Sequence, residues 1–221
     1  MYHFYLKNSH FLVRGKTDEI KGQYDAIFSL GENCIPALKL RKFNLRQIAG
    51  PFDWVGTPKL KNVSALISAD FPNFLNASNL IVPQYASEED VLVVDSVNHI
   101  SFNHDFKTDV NTLTNLPSLP QVQEKYSIRI NRFIDTLTAS QHLLFIRTNA
   151  TITDISELER ILSQKVKNQY SILVVNHTSV NELLEVDWNI NNVCSIELPN
   201  EDIWEGNDGW WESIFQGITL A

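Results

Sequence analysis

The stretch "YDAIFSLGENCIPALKL" (24–40) reads as a buried strand that stops at Gly31 and passes almost at once into a helix. A short, continuous apolar run of this kind suits a strand covered on both faces, as in a parallel sheet. Three more runs share its character: "VLVVDS" (91–96), "LLFIRT" (143–148) and "SILVVNH" (171–177), with a weaker fifth at "NVCSIEL" (192–198). Helical patterns separate several of them. "IPALKLRKF" follows the first run. "PQVQEKYSIRINRFIDTLTAS" places Val122, Tyr126, Ile130, Phe133, Ile134 and Leu137 at spacings of three and four. "DISELERILSQKVKN" repeats the pattern with Ile155, Leu158, Ile161, Leu162 and Val166, and Asp154 or Ser156 is placed to cap its start.

Strands alternating with helices argue for an α/β fold with an open, mostly parallel sheet of about five strands and helices on both faces. Residues 50–90, broken by Pro51, Pro58, Pro72 and Pro83, and the polar stretch 105–120 read as irregular insertions. Residues 1–221 are expected to form a single α/β domain, with 1–20 as a peripheral segment. A chain of 221 residues with 43% hydrophobic content has enough apolar material for one large core.

The formal net charge of −8 excludes nonspecific nucleic-acid binding, which needs a basic surface, but leaves room for local arginines to hold an anion. Cys34 and Cys194, the two cysteines, form no C-x-x-C pair, so no metal site is expected, and so sparse a count fits a reducing compartment. No apolar leader opens the sequence and no stretch reaches the length of a membrane span, which gives the expectation of a soluble, cytoplasmic protein. Neither a P-loop nor G-x-G-x-x-G is present, and no cofactor is implied.

Ligands of open α/β sheets bind beyond the carboxyl ends of the strands. Applied here, that rule brings Cys34, Arg147 and Thr148, Asn176 and His177, and Asp95 and Ser96 to one edge. Cys34 is the sharpest feature. Asn33 is placed to cap the helix, with Pro36 acceptable in its first turn. The helix dipole and unpaired N–H groups would then favour a thiolate at Cys34, and the N–H groups around 33–35 would hold an oxyanion. The competing reading is a buried cysteine that packs as a small hydrophobe, which is also the reading for Cys194 inside its strand.

A thiol nucleophile needs a histidine to manage protons. His3 and His10 are peripheral, His142 precedes a strand on the opposite side, and His99 belongs to a hairpin of either face. That leaves His104 in "SFNHDF", beside Asp105, and His177 in "VVNHT". In "GPFDWVG" (50–56), Asp53 sits between two aromatics. It would orient a histidine, bind substrate, or cap a turn that Phe52 and Trp54 anchor. The tail "EDIWEGNDGWWESIF" reads as an amphipathic helix capped near Asp208.

"YDAIFSLGENCIPALKLRKFNLRQIAGPFDWV" resembles the opening of a mainly bacterial family of papain-like cysteine peptidases, in which an apolar strand leads to S-L-G-x-N-C, a short helix, L-R and P-F-D-W. "FNHDF" is similar to an H-D-F element of that family, and "EKYSIRINRF" to a K-Y-x-x-R-x-x-R-F helix; Ile130 stands where many members carry another arginine. The resemblance implies Cys34 as nucleophile and His104 as base, with Asp53 or Asp105 orienting, His177 in reserve, and Asn33, Trp54, Arg129 and Arg147 around the substrate. The expected partner is a peptide, glycan or other small-molecule substrate. Two alternatives stand beside a peptidase. One is an acyltransferase or esterase acting on a sugar or surface-polysaccharide precursor, because a nucleophile after the first strand resembles the SGNH-type esterases in position. There Arg147 or Arg129 would hold an anionic group. The other is a binding module without catalysis.

Overall fold

The computed structural model describes residues 16–221; His3 and His10 lie outside them. The strands are β1 (Gly22–Tyr24), β2 (Ala26–Ser29), β3 (Val55–Gly56), β4 (Leu80–Tyr85), β5 (Val91–Asp95), β6 (Ile100–Phe102), β7 (His142–Thr148), β8 (Gln169–Thr178), β9 (Leu184–Val186), β10 (Val193–Pro199) and β11 (Ile218–Leu220). The helices are α1 (Ile35–Lys42), α2 (Leu60–Ser68), α3 (Leu119–Ala139), α4 (Ile152–Lys165) and α5 (Asp208–Phe215).

The fold is α/β. Its central sheet has the order β2-β7-β8-β10-β9, parallel throughout except for β9, which runs antiparallel at the edge. Side chains alternate between two apolar layers. Ala26, Phe28, Leu143, Phe145, Ile172 and Val174 join the layer that also holds buried residues of α2, α3 and α4. Ile27, Leu144, Ile146, Leu173, Val175 and Cys194 join the layer under α1 and α5. Burial on both faces explains why these strands read as unbroken apolar runs.

The run at 91–96 corrects the sequence-based expectation. It is β5, and it belongs to a second, antiparallel sheet of order β3-β6-β5-β4. Val91, Val93 and Asp95 are buried while Leu92 and Val94 are half-buried, the alternation of a strand with one covered face. Asp95 therefore does not reach the edge of the parallel sheet. It closes a turn, accepting hydrogen bonds from the backbone of Leu75, Val97 and Asn98. Residues 50–90 are likewise more ordered than expected, because the prolines fall at boundaries. Pro58 precedes α2, Pro72 follows it, and Pro83 sits in edge strand β4 where the register with β5 shifts between Ile81 and Gln84.

The second sheet and the parallel sheet share one apolar layer, and α3 lies in it. Its buried residues Val122, Tyr126, Ile130, Phe133 and Leu137 form a single helical stripe. Phe133 meets Phe28 edge-on at 4.8 Å and Phe145 at 6.3 Å, whereas Tyr126, nearly two turns earlier, meets Phe102 at 5.3 Å. One helix thus touches both sheets. Helix α4 is capped by Thr151, whose hydroxyl accepts from the Asp154 N–H and donates to its carboxylate, rather than by Asp154 or Ser156. At α5 the cap position is Asn207, and Asp208 turns to Lys39 and Lys42. Residues 16–20 are not peripheral: Ile20 is buried, and the N–H groups of Lys16 and Thr17 donate to Glu185. Among the described residues no helix is long and apolar enough to cross a membrane.

A buried arginine ties the sheets together. Arg147, on β7, is 0% exposed, and its Nη1 donates to the Leu30 carbonyl at 2.9 Å and to Thr57 Oγ1 at 2.8 Å. Its Nη2 donates to the Thr57 carbonyl at 2.8 Å. Leu30 ends the β2 segment and Thr57 follows β3, so one guanidinium joins three elements. Replacing Arg147 with Met would leave buried carbonyls without donors, and an Arg147→Met variant should lose about 3 kcal/mol or more in urea unfolding. A loss under about 1 kcal/mol would show that the junction is held by packing alone.

Candidate active site

The turn after β2 is shaped by two successive left-handed residues, Gly31 and Glu32, each with φ +78°. A Cβ on Gly31 would lie 2.5 Å from Thr57 Oγ1, so the close approach as well as the backbone conformation requires glycine. The Glu32 N–H donates to Thr57 Oγ1, and the Thr57 N–H donates back to the Glu32 carbonyl, both at 2.9 Å. On the other side, the Thr148 hydroxyl donates to the Gly31 carbonyl at 3.1 Å. The turn is clamped from both sheets, and it delivers Cys34 to the cap position of α1.

Cys34, not Asn33, is the cap, and it makes no capping hydrogen bond with its side chain. Asn33 Oδ1 accepts from the Ile35 N–H at 2.9 Å. That N–H is accordingly occupied, and the oxyanion donors expected over 33–35 reduce to the backbone of 33 and 34. Pro36 occupies the first turn as anticipated.

The opposite wall comes from the second sheet. β3 and β6 pair antiparallel with Val55 opposite Phe102, so the segments carrying Asp53 and His104 leave the same end of this two-stranded ribbon. Asp53 is buried and accepts from the Gly50 N–H at 3.0 Å and from Arg46 Nε and Nη2 at 2.8 and 2.7 Å. It caps its turn and neutralises Arg46. The guanidiniums of Arg41 and Arg46 each lie over the Trp54 ring, 5.4 Å from its centroid. Asp105 is held from α3, by the Lys125 ammonium and, at 2.9 Å, by the Tyr126 hydroxyl. Arg129 lies over the Tyr126 ring at 5.2 Å. Among the described residues neither carboxylate hydrogen-bonds an imidazole, so the orienting role expected of Asp53 or Asp105 has no direct contact behind it. His104 is exposed beside Asp105.

The electrostatics reverse one expectation. Cys34 is 9% exposed, and burial, then the charges of Asp105 and Asp53, push its thiol up to about 11. Burial and two carboxylates disfavour the thiolate that the helix N-terminus was expected to favour. Arg147 is also reassigned: all its hydrogen bonds go to the turn and to Thr57, burial lowers its pKa to about 10, and it shapes the site without being able to reach a ligand. His177, on β8, has both ring nitrogens buried without a partner among the described residues, and burial with nearby Lys39 lowers it to about 4. Cys194 is buried in β10, and both thiols are free. Lys125, Tyr126, Arg46 and Thr57 were missed as site residues by sequence reasoning. The one signal for the first two was the K-Y-x-x-R-x-x-R-F spacing, which puts Lys125, Arg129 and Arg132 on one helix face.

In a Cys194→Ser background, alkylation by iodoacetamide should be slow at neutral pH in the native chain and fast once it is unfolded. Its midpoint should lie near 11 and fall in Asp105→Asn, because removing a negative neighbour favours the thiolate. A native midpoint below the free-cysteine value of about 8.5 would contradict this electrostatic description.

An uncharacterized protein, R408, of Acanthamoeba polyphaga mimivirus is 26% identical over 205 residues, a match that takes in 86% of this chain and 84% of that protein. No solved structure matches the chain. A family model matches residues 25–180, a segment that runs from β2 through β8 and includes Cys34, Asp53, His104 and α3. The chain belongs to the family described as "Putative papain-like cysteine peptidase (DUF1796)".

Proposed function

We propose that the protein is a cysteine-dependent acyl-transfer enzyme, a peptidase or related hydrolase, in which Cys34 attacks a carbonyl and His104 manages the proton. The observation that carries this reading is the placement of Cys34 at the cap of α1, on a turn clamped by two sheets and within electrostatic range of Asp53 and Asp105, which leave the same ribbon end as His104. The family description supports the coarse class.

The local charges set the order of events. Burial, with the charges of Asp105 and Asp53, disfavours a free thiolate. His104 therefore takes the thiol proton as the sulfur–carbon bond forms. The tetrahedral oxyanion is held by the backbone N–H groups of 33 and 34. The imidazolium then protonates the leaving group as the acyl-enzyme forms, and water, deprotonated by His104, hydrolyses it. Trp54, with the Arg41 and Arg46 guanidiniums each 5.4 Å from its ring centroid, would contact the substrate.

Intact-protein mass spectrometry after exposure to N-acetyl-aminoacyl p-nitrophenyl esters tests this. The native chain should acquire one acyl group on Cys34, Cys34→Ser none, and His104→Ala should acylate about a hundredfold more slowly. Loss of acylation in His177→Ala instead would move the base to β8. Absence of any acyl adduct on Cys34 would return that residue to packing and leave a binding module.

A further inference from the structure

Arg129 is a cation of the site wall that makes no side-chain hydrogen bond among the described residues. Its Nη1 is buried and finds no acceptor among the described residues, and its guanidinium forms no ion pair there. The carboxylates around it are already committed. Asp53 is held by Arg46 through two nitrogens and by the Gly50 N–H, and Asp105 by Lys125 and the Tyr126 hydroxyl. Arg129 is meanwhile kept in place by the Tyr126 ring at 5.2 Å, and that ring is itself fixed through its hydroxyl. A buried guanidinium donor without an acceptor is costly, and a pre-positioned planar fork is what recognises a carboxylate or phosphate.

The surroundings agree. Arg129 opens onto a cavity of about 370 Å³ lined also by Lys125, Arg132, Ala49, Ile128 and Glu124. Lys125, Arg129 and Arg132 face it from successive turns of α3, and Arg132 is exposed and has no ion-pair partner among the described residues. With Lys125 paired to Asp105, the two arginines still face only Glu124 as a lining carboxylate, in a protein whose net charge is −8. Ala49 brings the wall to the turn that carries Asp53, and the charges of Asp53 and Asp105 act on Cys34 as well as on Tyr126.

We infer that this cavity is an oxyanion subsite, in which Arg129 and Arg132 receive a carboxylate or phosphate group of the substrate while its carbonyl lies at Cys34. The inference rests on the reading of the Cys34 region as the substrate site, but anion binding itself needs no chemistry at the thiol. It gives the K-Y-x-x-R-x-x-R-F spacing a division of labour. Lys125 and Tyr126 fix Asp105, Tyr126 also supports Arg129, and the two arginines bind.

The test is titration of the native chain with N-acetylglycine, with inorganic phosphate and with the neutral N-acetylglycinamide, followed by NMR at the arginine Nε–Hε signals. The signals of Arg129 and Arg132 should shift saturably with at least one of the two anions and not with the amide, and the anion bound more tightly identifies the group. Arg129→Gln should weaken that binding about tenfold or more, with Arg129→Lys recovering part of it. Failure of both anions to saturate these signals in the native chain would overturn the inference whatever the variants do. Equal binding by native chain and a folded Arg129→Gln would overturn it too. Acylation of Cys34 is read separately, so loss of the acyl-transfer reading and loss of the anion site remain distinguishable.

Discussion

Arg147 is the constraint on which the rest of the site depends. A guanidinium with no exposure has been placed where the parallel sheet meets the antiparallel one, and its donors go to the end of the β2 segment and to the residue after β3. Each half of the Cys34 environment comes from a different sheet. The Cys34 turn follows β2, whereas Asp53 precedes β3 and His104 follows β6. Without a fixed junction the two halves would have no defined relation. Burying a charge for this purpose is expensive, and its hydrogen bonds to two carbonyls and a hydroxyl offset the desolvation.

The same junction explains the chemistry of the thiol. Cys34 is buried, and burial first, then the charges of Asp105 and Asp53, push its thiol up to about 11. A thiolate–imidazolium pair formed in advance is therefore not the resting state. The arrangement instead suits proton transfer during attack, and it protects an intracellular or extracellular thiol alike from adventitious alkylation and oxidation, since the thiolate is the reactive form.

The parallel strands were legible in the sequence because burial on both faces leaves continuous apolar runs, and the strand-to-helix turn at Gly31 was legible because its glycine punctuates so sharply. The second sheet was not. β5 is as apolar as a central strand, and its alternation is visible only once Leu92 and Val94 are known to be half-buried. The role of Arg147 was also invisible, since an arginine at the carboxyl end of a strand reads equally as a ligand contact or a buried tie. Its partners, 117 and 90 residues away in sequence, decide the matter. For the candidate site, residue type singled out Cys34 and His104. The charge state of Cys34 depends on its burial and on Asp105 and Asp53, which tertiary folding alone brings into range.

The most direct test of the account is the pH dependence of Cys34 acylation by an activated ester in the native chain. If His104 removes the proton during attack, the rate should rise with the ionisation of an imidazole and level off by about pH 8, well below the thiol's own value of about 11. A rate that instead climbs about tenfold per pH unit toward 11, as for an unassisted thiolate, would contradict the central claim that Cys34 works with a general base.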